Sequence, residues 1–286
     1  MLWAATASAL FAFMWVLPKL VGANVPAVQV AFLRYMAGAV CIAPFIIAGV
    51  VRRTPGPIVE VGGRSLFMLH AARSACSVGA LVFGVYAVTS IPLANVQAIA
   101  MTNGVFTMLF AVLFLHERAG WREVTAGAVA LLGAIIVAGP GTAGAAGWAL
   151  MGVLAAFGQA VTWGGEVVLL RATAARESAS RILFKVNILA AVMVFVIGVW
   201  FWEEMSTETF LLIAAMGPIA IVGQACNIRA FRIADATSLV PVRYTGILFA
   251  AMFGVLIFDE WPDASAILGA ILIVGGAMWL ALRPKS

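Results

Sequence analysis

Charged residues are scarce in this chain. Lys, Arg, Asp and Glu supply 10% of its 286 residues and hydrophobic residues supply 64%, whereas soluble domains carry about 25% charged residues. An ordinary soluble domain is therefore excluded. Cysteine and histidine are also rare, with three and two residues. Each cysteine lies in an apolar run without a close Cys or His partner, so we expect neither a disulfide framework nor a metal, and no other cofactor.

Long hydrophobic runs occupy most of the sequence. A helix needs about 20 apolar residues to cross a bilayer. Ten runs approach this length: 2–21, 28–50, 65–88, 92–116, 121–138, 147–170, 181–202, 207–233, 237–259 and 263–282. The sequence therefore predicts an all-α polytopic membrane protein with ten transmembrane helices, joined by short loops that leave no room for a soluble domain.

Basic residues between the runs fall on one side of the predicted membrane. If the N-terminus is cytoplasmic, Lys19 is the one basic residue in the outer loops. The inner loops and the C-terminal tail then carry Arg52, Arg53, Arg64, Arg118, Arg122, Arg171, Arg176, Arg181, Arg229, Arg232, Arg283 and Lys285. Because cytoplasmic loops are enriched in Lys and Arg, both termini are predicted to be cytoplasmic. The basic balance follows from this topology and gives no support for a nucleic-acid partner.

The fourth and ninth runs are similar in sequence. Residues 103–117, NGVFTMLFAVLFLHE, share five identities with residues 246–260, GILFAAMFGVLIFDE. The match predicts two repeat units, 1–140 and 141–286, and because each unit has five spans the second unit is inverted in the membrane. Inverted repeats are typical of secondary transporters, in which two opposed halves open a central site alternately to each side.

Two further stretches and the two repeat ends carry a family resemblance. The stretches are residues 73–99, RSACSVGALVFGVYAVTSIPLANVQAI, and 230–246, AFRIADATSLVPVRYTG, while Glu117 and Glu260 each precede a glycine-punctuated final helix. Over essentially its whole length the chain resembles the EamA-type family of the drug/metabolite transporter superfamily. The resemblance implies a carrier of the inner (cytoplasmic) membrane, commonly an exporter of amino acids or other metabolites. It also implies a cavity between the halves, with the fifth and tenth helices set away from it.

Few ionisable residues lie deep within the predicted spans. Glu166 is in the sixth, His70 and Arg73 are in the third, and Arg243 is in the ninth, all at a similar predicted depth. Charges at such depth are expensive unless they are paired or face water, so these residues mark a candidate substrate-binding site. Paired, Glu166 would belong to an amphoteric site; unpaired, it would be poised to exchange a proton. An Arg–Glu brace that only holds helices together is the structural alternative.

A stripe of polar and aromatic residues leads to Glu166 on the sixth run. Gln159, Trp163 and Glu166 are spaced by four and three residues, which places them on one helical face. Such a stripe suits a planar or aromatic group beside a cation, with plain packing of Trp163 as the alternative.

Arg34, in the outer third of the second run, is predicted to extend to the lipid headgroups. Further residues are expected either to line the cavity or to bond between helices: Tyr86, Gln97, Asn103, Gln224, Asn227 and Tyr244.

Together with the exporter and the central cavity that the resemblance implies, these residues predict export of a small amphoteric metabolite, such as an amino acid, by alternating access. Glu166, Arg73 and Arg243 would recognise its charges. Import or exchange of a nucleoside- or cofactor-like solute, of the S-adenosylmethionine or vitamin type, is the second interpretation. A membrane-embedded enzyme is a remote third, because the sequence has neither a nucleophile–base motif nor clustered metal ligands.

The expected partners are a small-molecule substrate and the lipid bilayer. Proton coupling through Glu166 stays open. Ala126, Ala130 and Ala134 recur every four residues along the fifth run, which permits close helix contact. Packing within the chain is favoured for this face over a homodimer, and the oligomeric state stays open.

Overall fold

The fold is built from helices throughout the part of the chain that the structure describes. A computed structural model describes residues 1–51, 63–115, 120–139, 146–174, 179–233 and 236–281. Its α-helices are α1 (Leu2–Val21), α2 (Ala27–Val51), α3 (Gly63–Ser90), α4 (Leu93–Ala100), α5 (Asn103–Leu115), α6 (Trp121–Val137), α7 (Ala146–Ala174), α8 (Ala179–Gly198), α9 (Thr207–Ile233), α10 (Ala236–Phe258) and α11 (Ala264–Ala281). Short 3₁₀ turns, Gly22–Asn24 and Val199–Phe201, follow α1 and α8. The predicted all-α class is confirmed.

The helices follow the hydrophobic runs, with one interruption. The fourth run is divided into α4 and α5 at Met101 and Thr102. Both the N–H and the hydroxyl of Thr102 donate to the Ile99 carbonyl, at 3.0 and 2.6 Å, and this contact three residues back tightens the turn. Seven helical segments of the described chain, including Leu93–Phe114 across the break, are long and apolar enough to cross a membrane. The count of ten crossings stays a prediction.

Helices from the two predicted repeat units pack against one another. Helix α3 packs on α7, α1 on α9, α2 on α8 and α6 on α11. In addition, α2 contacts α9, α3 contacts α8, α1 contacts α10 and α5 contacts α7. This set of contacts maps onto itself when α1, α2, α3, α4–α5 and α6 are exchanged in order with α7, α8, α9, α10 and α11. Two units related by a pseudo-two-fold axis would produce such a pattern. The proposed boundary at residue 140 lies outside the described residues.

Small residues line the contact between α6 and α11. Ala126, Ala130 and Ala134 are buried, and a side chain at Gly276 of α11 would meet the Ala126 carbonyl oxygen at 3.0 Å. Because these residues lack bulky side chains, the two backbones approach closely. The small-residue face of α6 is therefore used for packing within the chain.

Gly133 of α6 lies in the same contact. A methyl group added there would lie 2.7 Å from the Gly269 carbonyl oxygen. We expect Gly133→Ala to lower the free energy of unfolding by about 1–3 kcal/mol, the usual cost of overpacking, as measured by thermal unfolding in detergent. Gly275→Ala on α11 is the control, because its methyl group would meet no described atom within 4 Å. Equal melting temperatures for the two variants would argue against the close contact.

Burial is uneven along the axis of the bundle. We call the end at which α1 finishes and α11 begins the Glu260 end, and the opposite end, at which α1 begins, the N-terminal end. Towards the Glu260 end, residues 14–18 of α1 and 95–100 of α4 are all buried. Towards the N-terminal end, Trp3 of α1 is exposed and residues 242–245 of α10 are half-buried. Along α1 and along α4 and α5, the described residues are therefore more deeply buried towards the Glu260 end.

Candidate functional site

The contact between α3 and α7 is built on glycines of α7. A side chain at Gly158 would meet the Phe83 ring at 3.1 Å, and one at Gly165 would meet Cys76 Sγ at 3.2 Å. Later residues of α7 thus meet earlier residues of α3, so the two helices run antiparallel. Glycine lets the backbones approach closely, and the register brings polar residues early in α3 beside the last turns of α7.

An ion pair joins α3 and α7 in this register. Arg73 Nη2 lies 3.3 Å from Glu166 Oε1, and the two side chains are 4% and 18% exposed. Their attraction and hydrogen bonding must offset the cost of removing two charges from water. Among the described residues, Nε and Nη1 of Arg73 have no hydrogen-bond partner. His70, three residues before Arg73 on the same helix, is also buried.

A second buried polar cluster joins α2, α3 and α8 next to this pair. Tyr35 Oη and Ser77 Oγ are 2.9 Å apart. Arg34 Cζ lies 4.3 Å from the centre of the Tyr35 ring, and Arg34 Nη1 donates to Asn187 Oδ1 at 3.3 Å. Ser77 is about one helical turn from Arg73 along α3.

Arg34 departs from the sequence prediction. Its side chain does not extend to the headgroups, because the residue is 9% exposed and finds a cation–π contact and an amide acceptor inside the bundle. Sequence reasoning also missed Tyr35, Ser77 and Asn187. All three are polar residues within hydrophobic runs. The same feature led to the prediction of Gln97, Asn103, Gln224 and Asn227.

Gln159 and Trp163 lie on α7 with the spacing from Glu166 that places them on one face, as expected. Gln159 is buried, and its Nε2 lies 2.9 Å from the position of a side chain added at Gly84 of α3. Its Oε1 has no hydrogen-bond partner in the part of the chain described. Trp163 is half-buried. The stripe therefore continues from the ion pair towards the Glu260 end and carries an unused acceptor.

The four predicted amides are distributed over three other elements. Asn103 begins α5 and is buried, with Nδ2 unpaired among the described residues. Gln97 is buried on α4, and its Nε2 lies 3.3 Å from the position of a side chain added at Gly246 of α10. Gln224 and Asn227 are half-buried on α9. These placements put Gln97 at a helix contact.

Three predicted site residues lie apart from Glu166. Arg243 and Tyr244 are half-buried on α10, which packs chiefly on α1, α4 and α11. Within the described chain Arg243 forms no ion pair. Tyr86 is 36% exposed and lies 13 residues beyond Arg73 on α3, which is about 20 Å along the helix. The structure therefore does not bring these residues into contact with the ion pair.

A third polar contact, the Lys19–Glu260 clamp, ties three segments together at the Glu260 end. Lys19 Nζ lies 2.6 Å from Glu260 Oε1 and donates to the Ile91 carbonyl at 2.9 Å. The Leu93 N–H donates to Glu260 Oε2 at 3.0 Å. The Lys19 ammonium also lies 5.3 Å from the centre of the Phe258 ring. The clamp thus links the end of α1, the start of α4 and the end of α10.

A helical membrane bundle with a buried, incompletely satisfied ion pair has the features of a membrane transporter. The chain matches the EamA-like transporter family over residues 1–139 and 150–282 and belongs to that family. The family resemblance, the multi-pass membrane class and the preference for a transporter over an enzyme are thereby confirmed.

Relatives with stated activities transport chemically different solutes. The chain is 30% identical to the pseudopaline exporter CntI of Pseudomonas aeruginosa, over 99% of this chain and 95% of the relative. It is 24% identical to the S-adenosylmethionine uptake transporter of Rickettsia prowazekii, over 94% and 88%. It is 25% identical to the riboflavin transporter of Brucella anthropi, over 90% and 88%. These relatives support transport of a small molecule across a membrane.

One solved crystal structure resembles the whole chain. The TM-score is 0.64 at 22% sequence identity, and the match covers 99% of this chain and 98% of the other. At this identity the likeness bears on the fold alone.

Proposed function

We propose that this chain exports a small amphoteric metabolite, such as an amino acid, by alternating access between its two repeat units. The Arg73–Glu166 pair carries the proposal, because it sets one buried cation and one largely buried anion between α3 and α7, helices of the two predicted units. An amphoteric solute would offer its ammonium group to Glu166 and its anionic group to Arg73. Each buried charge would then keep a partner when the protein pair separates, which limits the desolvation cost.

Other residues of the predicted site have supporting roles in this proposal. Trp163 and Gln159 would contact the part of the solute between the charges and the Glu260 end. Asn103, at the start of α5, would supply an amide near the same helix. The remaining candidates would line the route to the site or hold its walls: His70, Tyr86, Gln97, Gln224, Asn227, Arg243 and Tyr244.

Uptake or exchange of a cofactor-like solute is the second candidate. The S-adenosylmethionine uptake transporter and the riboflavin transporter support it by their similarity over most of the chain. The pseudopaline exporter supports export, at a higher identity. Proton coupling through Glu166 and a homodimer remain proposals for either candidate.

The orientation of the chain is part of the proposal. We place it in the inner membrane with both termini in the cytoplasm. Arg122, Arg181 and Arg229 are exposed at the starts of α6 and α8 and near the end of α9, and the antiparallel packing puts all three at the N-terminal end. The positive-inside rule makes that end cytoplasmic. In this proposal, the buried residues of α1 and α4 at the Glu260 end close the carrier towards the outside.

The test begins with a ligand. Detergent-purified protein is screened by thermal unfolding against amino acids, S-adenosylmethionine and riboflavin, because a ligand that binds only the folded state raises the melting temperature. The compounds that raise it are radiolabelled and followed in proteoliposomes. The proposed function would be contradicted if no compound class raised the melting temperature and none was transported in proteoliposomes.

Glu166→Gln is the informative variant in that transport assay. We expect the initial rate to fall about tenfold or more, since a hydrogen bond to a charged group contributes about 1.5–3 kcal/mol. Glu208→Gln is the matched control, because Glu208 is exposed in the first turn of α9. Wild-type transport by Glu166→Gln at every pH tested would remove Glu166 from the mechanism.

A further inference from the structure

We propose that Arg34 and Arg73 form one binding site for a carboxylate group of the transported solute, with Tyr35 and Ser77 between them. The inference deepens the proposed function and rests on it for the identity of the ligand as cargo. It assigns a role to Arg34, a residue on α2 outside the Arg73–Glu166 pair.

Buried positive charge exceeds buried negative charge in this region. Arg34 and Arg73 are 9% and 3% exposed, and Glu166 is the one acidic residue of the sequence that lies more than two residues inside a hydrophobic run. Glu166 contacts Arg73, whereas Arg34 has a ring contact and an amide acceptor but no acidic partner among the described residues. An uncompensated charge at this depth is costly. A ligand carboxylate would remove the excess positive charge.

Unused hydrogen-bond donors occur in the same region. Within the described residues, Nε of Arg34, Nε and Nη1 of Arg73 and the Ser74 hydroxyl are buried without a hydrogen-bond partner. Buried polar groups in folded proteins are nearly always paired. A carboxylate accepts several hydrogen bonds through its two oxygens and binds guanidinium groups strongly. The chemistry of the unpaired groups therefore matches a carboxylate ligand.

The Tyr35–Ser77 contact joins the helix that carries Arg34 to the helix that carries Arg73. Arg34 lies over the Tyr35 ring at 4.3 Å, and the Tyr35 hydroxyl contacts Ser77 at 2.9 Å. Ser77 is about one turn from Arg73 along α3. Asn187 holds Arg34 through Nη1 at 3.3 Å. Arg34 is thus oriented by one hydrogen bond while its Nε is unused.

The site is tested without a ligand by placing a carboxylate in it. Ser77→Asp and Ser77→Asn are compared in the full chain, purified in detergent, because the two side chains have nearly the same shape and differ in charge. We expect the Asp variant to melt at least about 3 °C above the Asn variant. We expect Arg34→Gln, introduced into both variants, to remove at least half of this difference.

The matched control is Arg229→Gln in both Ser77 variants. Arg229 of α9 is exposed and lies over the ring of Trp3 of α1. Arg229→Gln changes the net charge by the same amount as Arg34→Gln but does not alter the cluster. We therefore expect it to leave the difference in melting temperature between the two Ser77 variants unchanged. An Asn variant that melts at or above the Asp variant would overturn the carboxylate site. An Asp advantage that survives Arg34→Gln would remove Arg34 from it.

If both Ser77 variants fail to fold, the same comparison is made with Ser74→Asp and Ser74→Asn, beside Arg73. The outcome is independent of transport. If the Asp variant melts above the Asn variant and Arg34→Gln removes the difference, but no solute is transported, the anion site is supported and the proposed function is contradicted. If a solute is transported but the Asp variant has no advantage, the proposed function is supported and the anion site is contradicted.

Discussion

Arg73→Ala is expected to lower the free energy of unfolding by about 3 kcal/mol, because it leaves the Glu166 carboxylate without its partner in a buried position. The pair is short enough for direct contact, at 3.3 Å, and both side chains are largely removed from solvent. Removing both charges leaves no unpaired ion. The double variant Arg73→Ala/Glu166→Ala should therefore recover most of the lost stability.

Chemical denaturation of the detergent-solubilised variants measures these changes. Arg181→Ala is the matched control, because Arg181 is exposed at the start of α8 and surface charges contribute little. The charges do not act as a pair if the double variant loses as much unfolding free energy as the single variants Arg73→Ala and Glu166→Ala lose together. Unchanged stability of Arg73→Ala would contradict its burial beside Glu166.

Lys19→Ala is expected to open the Glu260 end of the bundle. The clamp holds α1, the start of α4 and the end of α10 through one ion pair and two hydrogen bonds to the backbone. Each hydrogen bond to a charged group contributes about 1.5–3 kcal/mol. Without the ammonium group, the closed arrangement loses two of these contacts, so open states should become at least about tenfold more populated.

Thiol labelling measures this opening. Cys41, Cys76 and Cys226 are first replaced by serine, and one cysteine is introduced at Asn95, which is buried on α4 close to the clamp. A water-soluble maleimide should then react about tenfold faster in the Lys19→Ala variant, in proportion to the open population.

Glu203→Gln is the control for this experiment, because Glu203 is an exposed acid at the same end. The charge-exchanged variant Lys19→Glu/Glu260→Lys should close the end only in part. It restores the ion pair, but a carboxylate at position 19 cannot donate to the Ile91 carbonyl, and an ammonium group at position 260 cannot accept from the Leu93 N–H. Equal labelling rates in wild type and Lys19→Ala would show that the clamp does not hold this end closed.

The sequence predicts a common depth for Glu166 and Arg73, and the structure brings the two side chains into contact. Depth follows from the position of a residue within its hydrophobic run, because each apolar helix must match the thickness of the bilayer. The same reasoning predicts that Arg243 lies near Glu166. In the structure Arg243 does not contact Glu166, because its helix, α10, packs chiefly on α1, α4 and α11. Depth alone does not state which helices are neighbours.

Arg34 and Lys19 illustrate what sequence reasoning could not supply. A long basic side chain near a helix end is compatible with extension to the headgroups, and the partner that holds it inside lies far away in the chain. Asn187 of α8 accepts from Arg34, and Glu260 beyond α10 pairs with Lys19. Neither contact follows from local spacing.

The sequence by itself determined the all-helical membrane class and the approximate helix boundaries, because apolar length is a local property of the chain. The family followed from the resemblance of particular stretches, such as residues 73–99 and 230–246. Only the tertiary structure decided the interruption between α4 and α5, the burial of Arg34, the clamp at Lys19 and the separation of Tyr86 and Arg243 from Glu166. These features depend on how each helix is rotated about its axis and on which neighbours it meets. Both are set by side-chain packing between distant segments.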